Sequence, residues 1–332
     1  MKAITLLSGG LDSILAARLI LDQGIEVEAV NFLTVFCNCT ARGKTCLASK
    51  SAADQLGIKL KVFEISDEYF EIIKEPKYGY GRNMNPCLDC RIFMFKKARE
   101  YMRETGALFV ITGEVLGERP MSQRRDAMRI IERDSGLKGL IVRPLSAKSF
   151  EPSVPEVEGW VDREKFLGIK GRSRKPQIQL ASRLEINDYP CPAGGCLLTD
   201  SGFARRMRDL MYHQSDFDIN DVRLLKVGRH FRLTKEAKIM VGRDEEENNR
   251  LLSLASRNDL CFHPVKIKGP VGVGKGVFGR DSLDRASRII ARYSDIDSNR
   301  QIRVCYRTAQ DKVGEFVTVL PAEKSELDRL RI

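Results

Sequence analysis

Ala3-Ile-Thr-Leu-Leu-Ser-Gly-Gly-Leu-Asp-Ser13 decides how this chain is read. Ala3–Leu7 is apolar enough for a short buried strand, two glycines turn the chain, and Asp12–Gln23 then repeats apolar residues at helical spacing. A strand that runs through Ser8-Gly9-Gly10 into a helix presents backbone N–H groups at the positive end of the helix dipole, which is a place for phosphate. Gly9 and Gly10 let the backbone approach an anion with no Cβ between them. Ser8 and Ser13 offer hydroxyls, and Asp12 offers a carboxylate for magnesium. No Gly-Lys-Ser/Thr closes the turn, so it is not a Walker A loop.

Working outward, strand and helix patterns alternate to about residue 148. Strands are expected at Glu26–Phe36, Leu60–Ile65, Leu108–Thr112 and Leu140–Arg143, and helices at Leu47–Leu56, Asp89–Glu104 and Ser122–Arg133. That order predicts a parallel α/β domain over residues 1–150. Glu151-Pro-Ser-Val-Pro155 interrupts it, because two prolines this close stop a helix or a central strand. Residues 151–215 read as a helical and loop connector, with helical signals at Asp162–Leu167, Ser173–Arg183 and Phe203–His213 around Tyr189-Pro-Cys-Pro-Ala-Gly-Gly-Cys196. Residues 216–332 predict an α+β domain: strands at Val222–Leu233, Lys238–Val241, Leu260–His263, Gln301–Tyr306 and Glu315–Leu320, with helices at Glu245–Ser256 and Asp281–Tyr293. Val271-Gly-Val-Gly-Lys-Gly276 reads as a turn.

The chain has 332 residues, 42% of them hydrophobic, enough for one large core or two to three smaller ones. It shows no signal-peptide pattern and no apolar run of membrane-spanning length, so the expectation is a cytoplasmic enzyme with no membrane partner. Its 56 Lys and Arg against 45 Asp and Glu leave a net charge of +11, which favours a polyanionic partner. The cysteines number nine, and with cytosolic features they point to metal, cluster or redox chemistry rather than disulfides.

The run Ser8-Gly-Gly-Leu-Asp-Ser13 after the first strand resembles the signature of the PP-loop ATP pyrophosphatases, whose domain is adenine nucleotide alpha hydrolase-like. The resemblance implies cleavage of ATP between its α- and β-phosphates with magnesium present. It also implies that Ser8, Gly9, Gly10, Asp12 and Ser13 hold the pyrophosphate, with Asn31 or Phe32 near the adenine. Thr112-Gly113-Glu114 and Arg119-Pro-Met-Ser-Gln-Arg-Arg-Asp126 follow the fourth strand and should face the ATP, Gly113 closely. They resemble the Thr-Gly-His and Asp-Gln-Ser stretches of 2-thiouridylases, with Glu114 in place of the histidine.

Asn85-Pro-Cys87-Leu-Asp-Cys90-Arg91 opens a helix, where a C-x-x-C pair sits on one side of a turn and the dipole is expected to lower both thiol pKa values. A second pair, Cys191 and Cys196, flanks Pro-Ala-Gly-Gly in a loop able to wrap an inorganic centre. Four thiolates from two loops suit structural zinc. Met84-Asn-Pro-Cys-Leu-Asp-Cys90 with Phe93–Lys97 resembles a tRNA 2-thiouridylase segment that carries a catalytic or cluster-ligating cysteine. Related thiolases imply a 4Fe-4S cluster on three cysteines, its fourth iron holding sulfide. On that reading Cys87, Cys90 and Cys196 are the ligands and Cys191, confined between two prolines, is the alternative; zinc and direct persulfide chemistry stay open. Cys37, Cys39 and Cys46 form a third group, read as a sulfur relay, an accessory zinc site or plain loop thiols. Cys261 and Cys305 fall in strand patterns and read as core.

Arg124, Arg125, Arg172, Arg174 and Lys175 are candidate phosphate contacts, for RNA or ATP, with Ser173 as a helix cap. Lys238–Asn249, Asn258–His263 and Gly269-Pro270 resemble an NFACT-type RNA-binding domain, in which Arg243, Lys266, Lys268 and Lys275 would form a flexible cationic loop. Together these readings imply a tRNA sulfurtransferase, a thiouridine synthase that adenylates a uridine and replaces its carbonyl oxygen with sulfur. Asp12, Cys87, Cys90 and Cys196 would carry the catalysis. The sulfur donor would be free sulfide, a cysteine desulfurase or a sulfur carrier, and a homodimer is allowed. The rivals are a PP-loop ligase or amidotransferase acting on a non-RNA substrate with structural zinc, and a non-catalytic RNA-binding protein.

Overall fold

The computed structural model of the chain describes residues 1–37, 47–189, 195–297 and 299–332. It divides into two compact units, Met1–Thr199 and Asp200–Ile332.

In the first unit the parallel strands β1 (Lys2–Leu6), β2 (Glu26–Leu33), β3 (Leu60–Glu64), β4 (Phe109–Ile111) and β5 (Ile141–Val142) stand in the order β3-β2-β1-β4-β5. The chain builds outward from β1 to β3 and then returns to place β4 on the other side of β1. That reversal leaves a crevice beyond the carboxyl ends of β1 and β4, where open α/β sheets bind ligands. Both sheet faces are covered, so β4 and most of β1 are buried throughout rather than alternating. Ala3, Ala29 and Phe109 pack with Leu11, Ile14 and Leu15 of α1 (Leu11–Leu21) and Ala52 and Ala53 of α2 (Leu47–Leu56). The opposite face packs on α4 (Cys87–Glu104) through Phe95, Ala98 and Met102, and on α5 (Arg125–Ser135) through Ile131. Between β3 and α4 lies α3 (Ser66–Lys74), absent from the sequence expectation, which buries Ser66, Tyr69, Phe70 and Ile73 at helical spacing.

Residues 151–199 pack with this unit, whereas the sequence reading set them in a separate connector over 151–215. Pro155 does break the alternation, but it enters the short helix α6 (Val154–Val157), whose start is closed by Ser153 and Glu156. Trp160 then stacks on Phe109 with ring centroids 6.4 Å apart, and Phe166, Leu180 and Ala181 complete the core. Leu180 and Ala181 belong to α7 (Lys175–Arg183), whose N-cap is Arg174 and not Ser173. Asp162–Leu167 yields only a 3-10 turn, Arg163–Lys165.

The second unit begins with α8 (Ser201–His213), capped by Asp200, which accepts a 2.7 Å hydrogen bond from the Phe203 N–H. The expected strand Val222–Leu233 is two elements. Asp218 and Asp221 form a capping box that starts the helix α9 (Ile219–Leu224), and β6 (Arg229–Arg232) follows. Then come β7 (Ala237–Val241), α10 (Glu245–Leu254), β8 (Leu260–Pro264), β9 (Gly272–Gly276), α11 (Arg280–Arg292), β10 (Ile302–Thr308), β11 (Glu315–Val319) and α12 (Lys324–Leu330). The six strands are antiparallel in the order β11-β10-β8-β9-β7-β6. The segment read as a glycine turn is therefore an inner strand. A Cβ on Gly274 would stand 3.0 Å from the Phe262 ring and 2.5 Å from that of Phe278, so its glycine serves packing. Among the described residues no helix is long and apolar enough to cross a membrane.

Candidate active site at the carboxyl ends of the parallel strands

The turn after β1 is closely packed and has the form an anion cradle would need. Gly9 has φ +80, and a Cβ there would lie 2.4 Å from the Ala48 carbonyl carbon, so only glycine fits. Gly10 is the N-cap of α1; its carbonyl accepts from the Ser13 N–H at 3.0 Å and the Ser13 hydroxyl at 2.7 Å. The Ser8 and Ser13 hydroxyl oxygens stand 3.3 Å apart, which brings both to one side of the turn. Gly113, just beyond β4, closes on the same loop from the neighbouring strand: a Cβ on it would lie 2.4 Å from the Asp12 carbonyl.

Asp12 then meets residues from two other segments. Its carboxyl faces that of Glu118, and the charges of Arg174 and Arg119 act on it. Burial pushes the Asp12 pKa up, and the two arginines pull it back only in part. Burial, and next the charge of Asp12, push Glu118 up to about 7. Gln177 of α7 is wholly buried beside Asp12, yet neither atom of its amide completes a hydrogen bond. Asp12 Oδ1, Glu118 Oε2 and Arg174 Nε are likewise buried without a partner. Two carboxylate oxygens, an amide and a guanidinium left unpaired at one point are the groups a divalent cation with a phosphate chain would satisfy. The sequence reading named Asp12 here and gave Arg174 to RNA. It set the stretch beginning at Arg119 facing the ATP without giving that arginine a part, and it missed Glu118 and Gln177, which no local pattern marks.

The charge of Arg119 acts also on Cys87, one of a group of three thiols. Cys87 and Cys90 occupy the first turn of α4, and Cys196 is brought to them by a backbone bridge to Cys37. The Leu197 N–H donates to the Phe36 carbonyl at 3.0 Å, and the Met84 N–H to that of Leu198 at 3.1 Å. Tyr69, 1% exposed, is hydrogen-bonded to Cys90 and lies within the field of Cys196 and Cys87. No disulfide joins Cys87, Cys90 or Cys196, and each keeps part of its surface open. The expected lowering of their pKa values does not occur. Protein packed around the sulfurs raises Cys87, pushes Cys90 up to about 11 and Cys196 up to about 12, and for the last two neighbouring thiols add to the rise. Desolvation outweighs the helix dipole here. Among the described residues no three His, Cys, Asp or Glu side chains form a ready-made ion site. Cys39, Cys46 and Cys191 lie outside the described residues.

Glu114, which stands where the 2-thiouridylase histidine was expected, has another part. It is 2% exposed and accepts from Arg91 Nε at 3.1 Å and Nη2 at 2.5 Å, and from Arg143 Nε at 3.2 Å. Arg143 Nη1 in turn donates to Glu132 at 2.5 Å. Arg91 and Arg143 hold the Glu114 carboxyl below its usual pKa despite complete burial. Arg91 directly follows Cys90, so this network fixes the start of α4 and the loop after β4 together.

The remaining candidates fall elsewhere. Asn31 donates to the Leu7 carbonyl at 2.8 Å and so ties β2 to the end of β1; its Oδ1 is buried without a partner. Phe32 is 8% exposed and stacked on Phe63 at 5.6 Å, a core ring. Arg124 pairs with Asp126 at 3.3 Å, and Arg125 donates to the Ser149 carbonyl at 2.7 Å; both are exposed, as are Arg172 and Lys175. In the second unit Lys266 and Lys268 are exposed. Arg243 is engaged by Glu247 at 2.8 Å. Lys275 is not part of a flexible cationic loop: it sits in β9, 2.6 Å from Asp221.

Residues 1–152 match the family described as thiamine biosynthesis protein (ThiI), and residues 228–331 the NFACT protein RNA binding domain. The tRNA-specific 2-thiouridylase MnmA of Marinobacter nauticus is 34% identical over 299 residues, covering 81% of this chain and 74% of that protein. Its counterpart from Pseudomonas aeruginosa is 30% identical over 284 residues, covering 79% and 74%. Among solved structures, a 4-thiouridine synthetase in complex with RNA and ATP aligns at 19% identity and a TM-score of 0.37, over 68% of this chain and 52% of that one. The U34-tRNA thiolase NcsA of Methanococcus maripaludis with its [4Fe-4S] cluster aligns at 18% and 0.34, over 68% and 70%.

Proposed function

This chain belongs to the PP-loop tRNA thiouridylase family of ATP-dependent tRNA thiolation enzymes, and from that premise we propose how its site divides the reaction. One observation carries the proposal: the charge of Arg119 acts on Asp12, on Glu118 and on Cys87, as a site shared by the turn after β1 and the thiols requires. In the first step the Ser8–Ser13 turn and Arg174 bind the β- and γ-phosphates while a uridine carbonyl oxygen attacks the α-phosphorus. The bond to the β-phosphate oxygen breaks, pyrophosphate leaves, and the uridine carries AMP. In the second step hydrosulfide attacks the activated ring carbon, the C–O bond breaks, AMP departs with both electrons and the sulfur gives up its proton; were a cysteine persulfide the donor, a second cysteine thiolate would then attack the first cysteine's sulfur, breaking the S–S bond, forming a disulfide and leaving the electron pair on the thiouridine sulfur. Arg119, whose charge acts on both groups, would stabilise negative charge on the leaving phosphate.

Asp12, Glu118 and the Gln177 amide oxygen would hold magnesium, which screens the charge of the phosphates. The donor chemistry of Cys87, Cys90 and Cys196 fits a 4Fe-4S cluster, and such a cluster would supply an iron-bound sulfide as nucleophile. Tyr69 orients Cys90 by its hydroxyl, and α3 shields the sulfurs from water. Glu114 and Arg91 hold the cysteine turn against the nucleotide loop. The second unit would hold the tRNA.

Anaerobic purification with iron and sulfide analysis, followed by mass spectrometry of tRNA nucleosides after incubation with ATP and sulfide, tests this. The expected result is iron retained by the wild type and lost on Cys90→Ser, with a thiouridine formed only by the wild type. No thionucleoside in vitro, and none missing from cells without the protein, would refute it.

A further inference from the structure

The sheet of the second unit buries its two faces unequally. On one face Phe231, Ile239, Phe262, Val304 and Val319 pack under Ala286, Ile289 and Ile290 of α11, across its whole width. On the other, Met240, Val273 and Cys261 are covered by Leu224 and Leu251 from α9 and α10. That cover stops at β8. The pairing Cys305 with His263 and Cys305 with Phe316 sets His263, Cys305 and Phe316 in one row across β8, β10 and β11. Arg303 and Arg307, two residues either side of Cys305, share that face because strand side chains alternate.

This uncovered half has a defined chemistry. Phe316 is 51% exposed, a large amount of ring for a sheet residue, and the Arg303 guanidinium lies 4.4 Å from its centroid. His263 and Arg303 are exposed, and Cys305 beneath the row is 6% exposed. Across β8, β10 and β11 the sole acidic residue is Glu315, and it faces the other way, accepting from the Tyr306 hydroxyl at 2.5 Å. A flat aromatic ring with the Arg303 guanidinium over it, Arg307 held farther along β10 by the Asp311 carbonyl, and no acidic side chain of β8, β10 or β11 on that face match a nucleobase and its phosphates rather than an apolar protein surface.

We propose that this half-face is a stacking site for an unpaired segment of RNA, with Phe316 the platform and Arg303 and Arg307 the phosphate contacts. The inference rests on RNA being the partner of this chain, but not on sulfur insertion. It adds a base-reading surface distinct from Arg243, Lys266, Lys268 and Lys275, the cations the sequence pointed to.

The test is fluorescence anisotropy of the full chain with a labelled single-stranded RNA, a duplex of the same length and a whole tRNA, at two salt concentrations. Phe316→Ala should weaken single-strand and tRNA binding about tenfold, as loss of one stacked base does. Phe316→Trp should restore it, and the duplex should be indifferent to both. Arg303→Gln should weaken binding and reduce its salt dependence by about one charge. Val277→Ala, another exposed apolar residue of this unit, serves as control. Unchanged single-strand affinity in Phe316→Ala, with its thermal melt intact, overturns the proposal. So does a change confined to oligomeric state in sedimentation, which would make the face a contact between copies. If the wild type binds RNA through Phe316 yet forms no thionucleoside, the proposed function fails and the stacking site stands.

Discussion

Glu114 and Glu118 lie four residues apart on one loop and have opposite surroundings. Glu114 is the more deeply buried, yet Arg91 and Arg143 hold its pKa low and occupy both of its oxygens. Glu118 is only half-buried, yet its pKa rises to about 7 and one oxygen has no partner. Burial does not separate them; pairing does. A buried group that is fully paired holds the fold together, whereas one left unpaired beside another acid is arranged for something that arrives later.

Four predictions bear on that contrast, beginning with the largest. Asp12→Asn should lower tRNA-dependent AMP release about 1,000-fold or more, the several kcal/mol expected of a phosphate and metal anchor, with the melting temperature nearly unchanged. Glu114→Gln should do the reverse: stability falls by about 3–5 kcal/mol in denaturant titration, because Arg91 and Arg143 lose their shared counter-charge in a buried place. Glu118→Gln should slow AMP release by about 10- to 100-fold, a second metal ligand being worth less than the first. A fold that collapsed on Glu118→Gln while tolerating Glu114→Gln would break the contrast.

The smallest effect is in pH dependence, and the two glutamates carry opposite signs. Glu114 has a folded pKa below its unfolded value near 4.3, so its stabilisation is present above that pH and lost as pH falls through the folded pKa. The stability gap between wild type and Glu114→Gln should therefore shrink in acid. Glu118 has a folded pKa above its unfolded one, so the wild type loses stability as pH rises from about 4.3 towards about 7, where the unfolded chain binds fewer protons. Melting of Glu118→Gln should gain on the wild type across that window. A constant difference would show that Glu118 titrates normally.

What the sequence made legible was whatever is local. The strand, double glycine and helix of residues 3–21 carry their own geometry, and the turn forms where that pattern placed it. The alternation that followed gave a parallel sheet with its ligand edge at β1 and β4. Glu118 and Gln177 acquire meaning only when two distant segments meet Asp12, and nothing around them in sequence signals that meeting. The same holds for Tyr69, on a helix too short for its period to stand out. The thiols failed for a related reason: a helix start argues for low pKa values, but the burial that reverses them is set by the fold around the sulfurs, and Cys37, distant in sequence, adds to the rise of both Cys90 and Cys196 while the Tyr69 hydroxyl only partly offsets it at Cys90. Pro152 and Pro155 marked a real break in the alternation, but Trp160 and Phe166 return the chain to the same core.

One measurement reaches the central claim that activation and sulfur insertion share this site. Anaerobic single-turnover reactions with tRNA, ATP, magnesium and sulfide are quenched and assayed in parallel for pyrophosphate and for thionucleosides. The account predicts both products from the wild type, neither from Asp12→Asn, and pyrophosphate without thionucleoside from Cys90→Ser. Thionucleoside formed by Cys90→Ser at the wild-type level would contradict it.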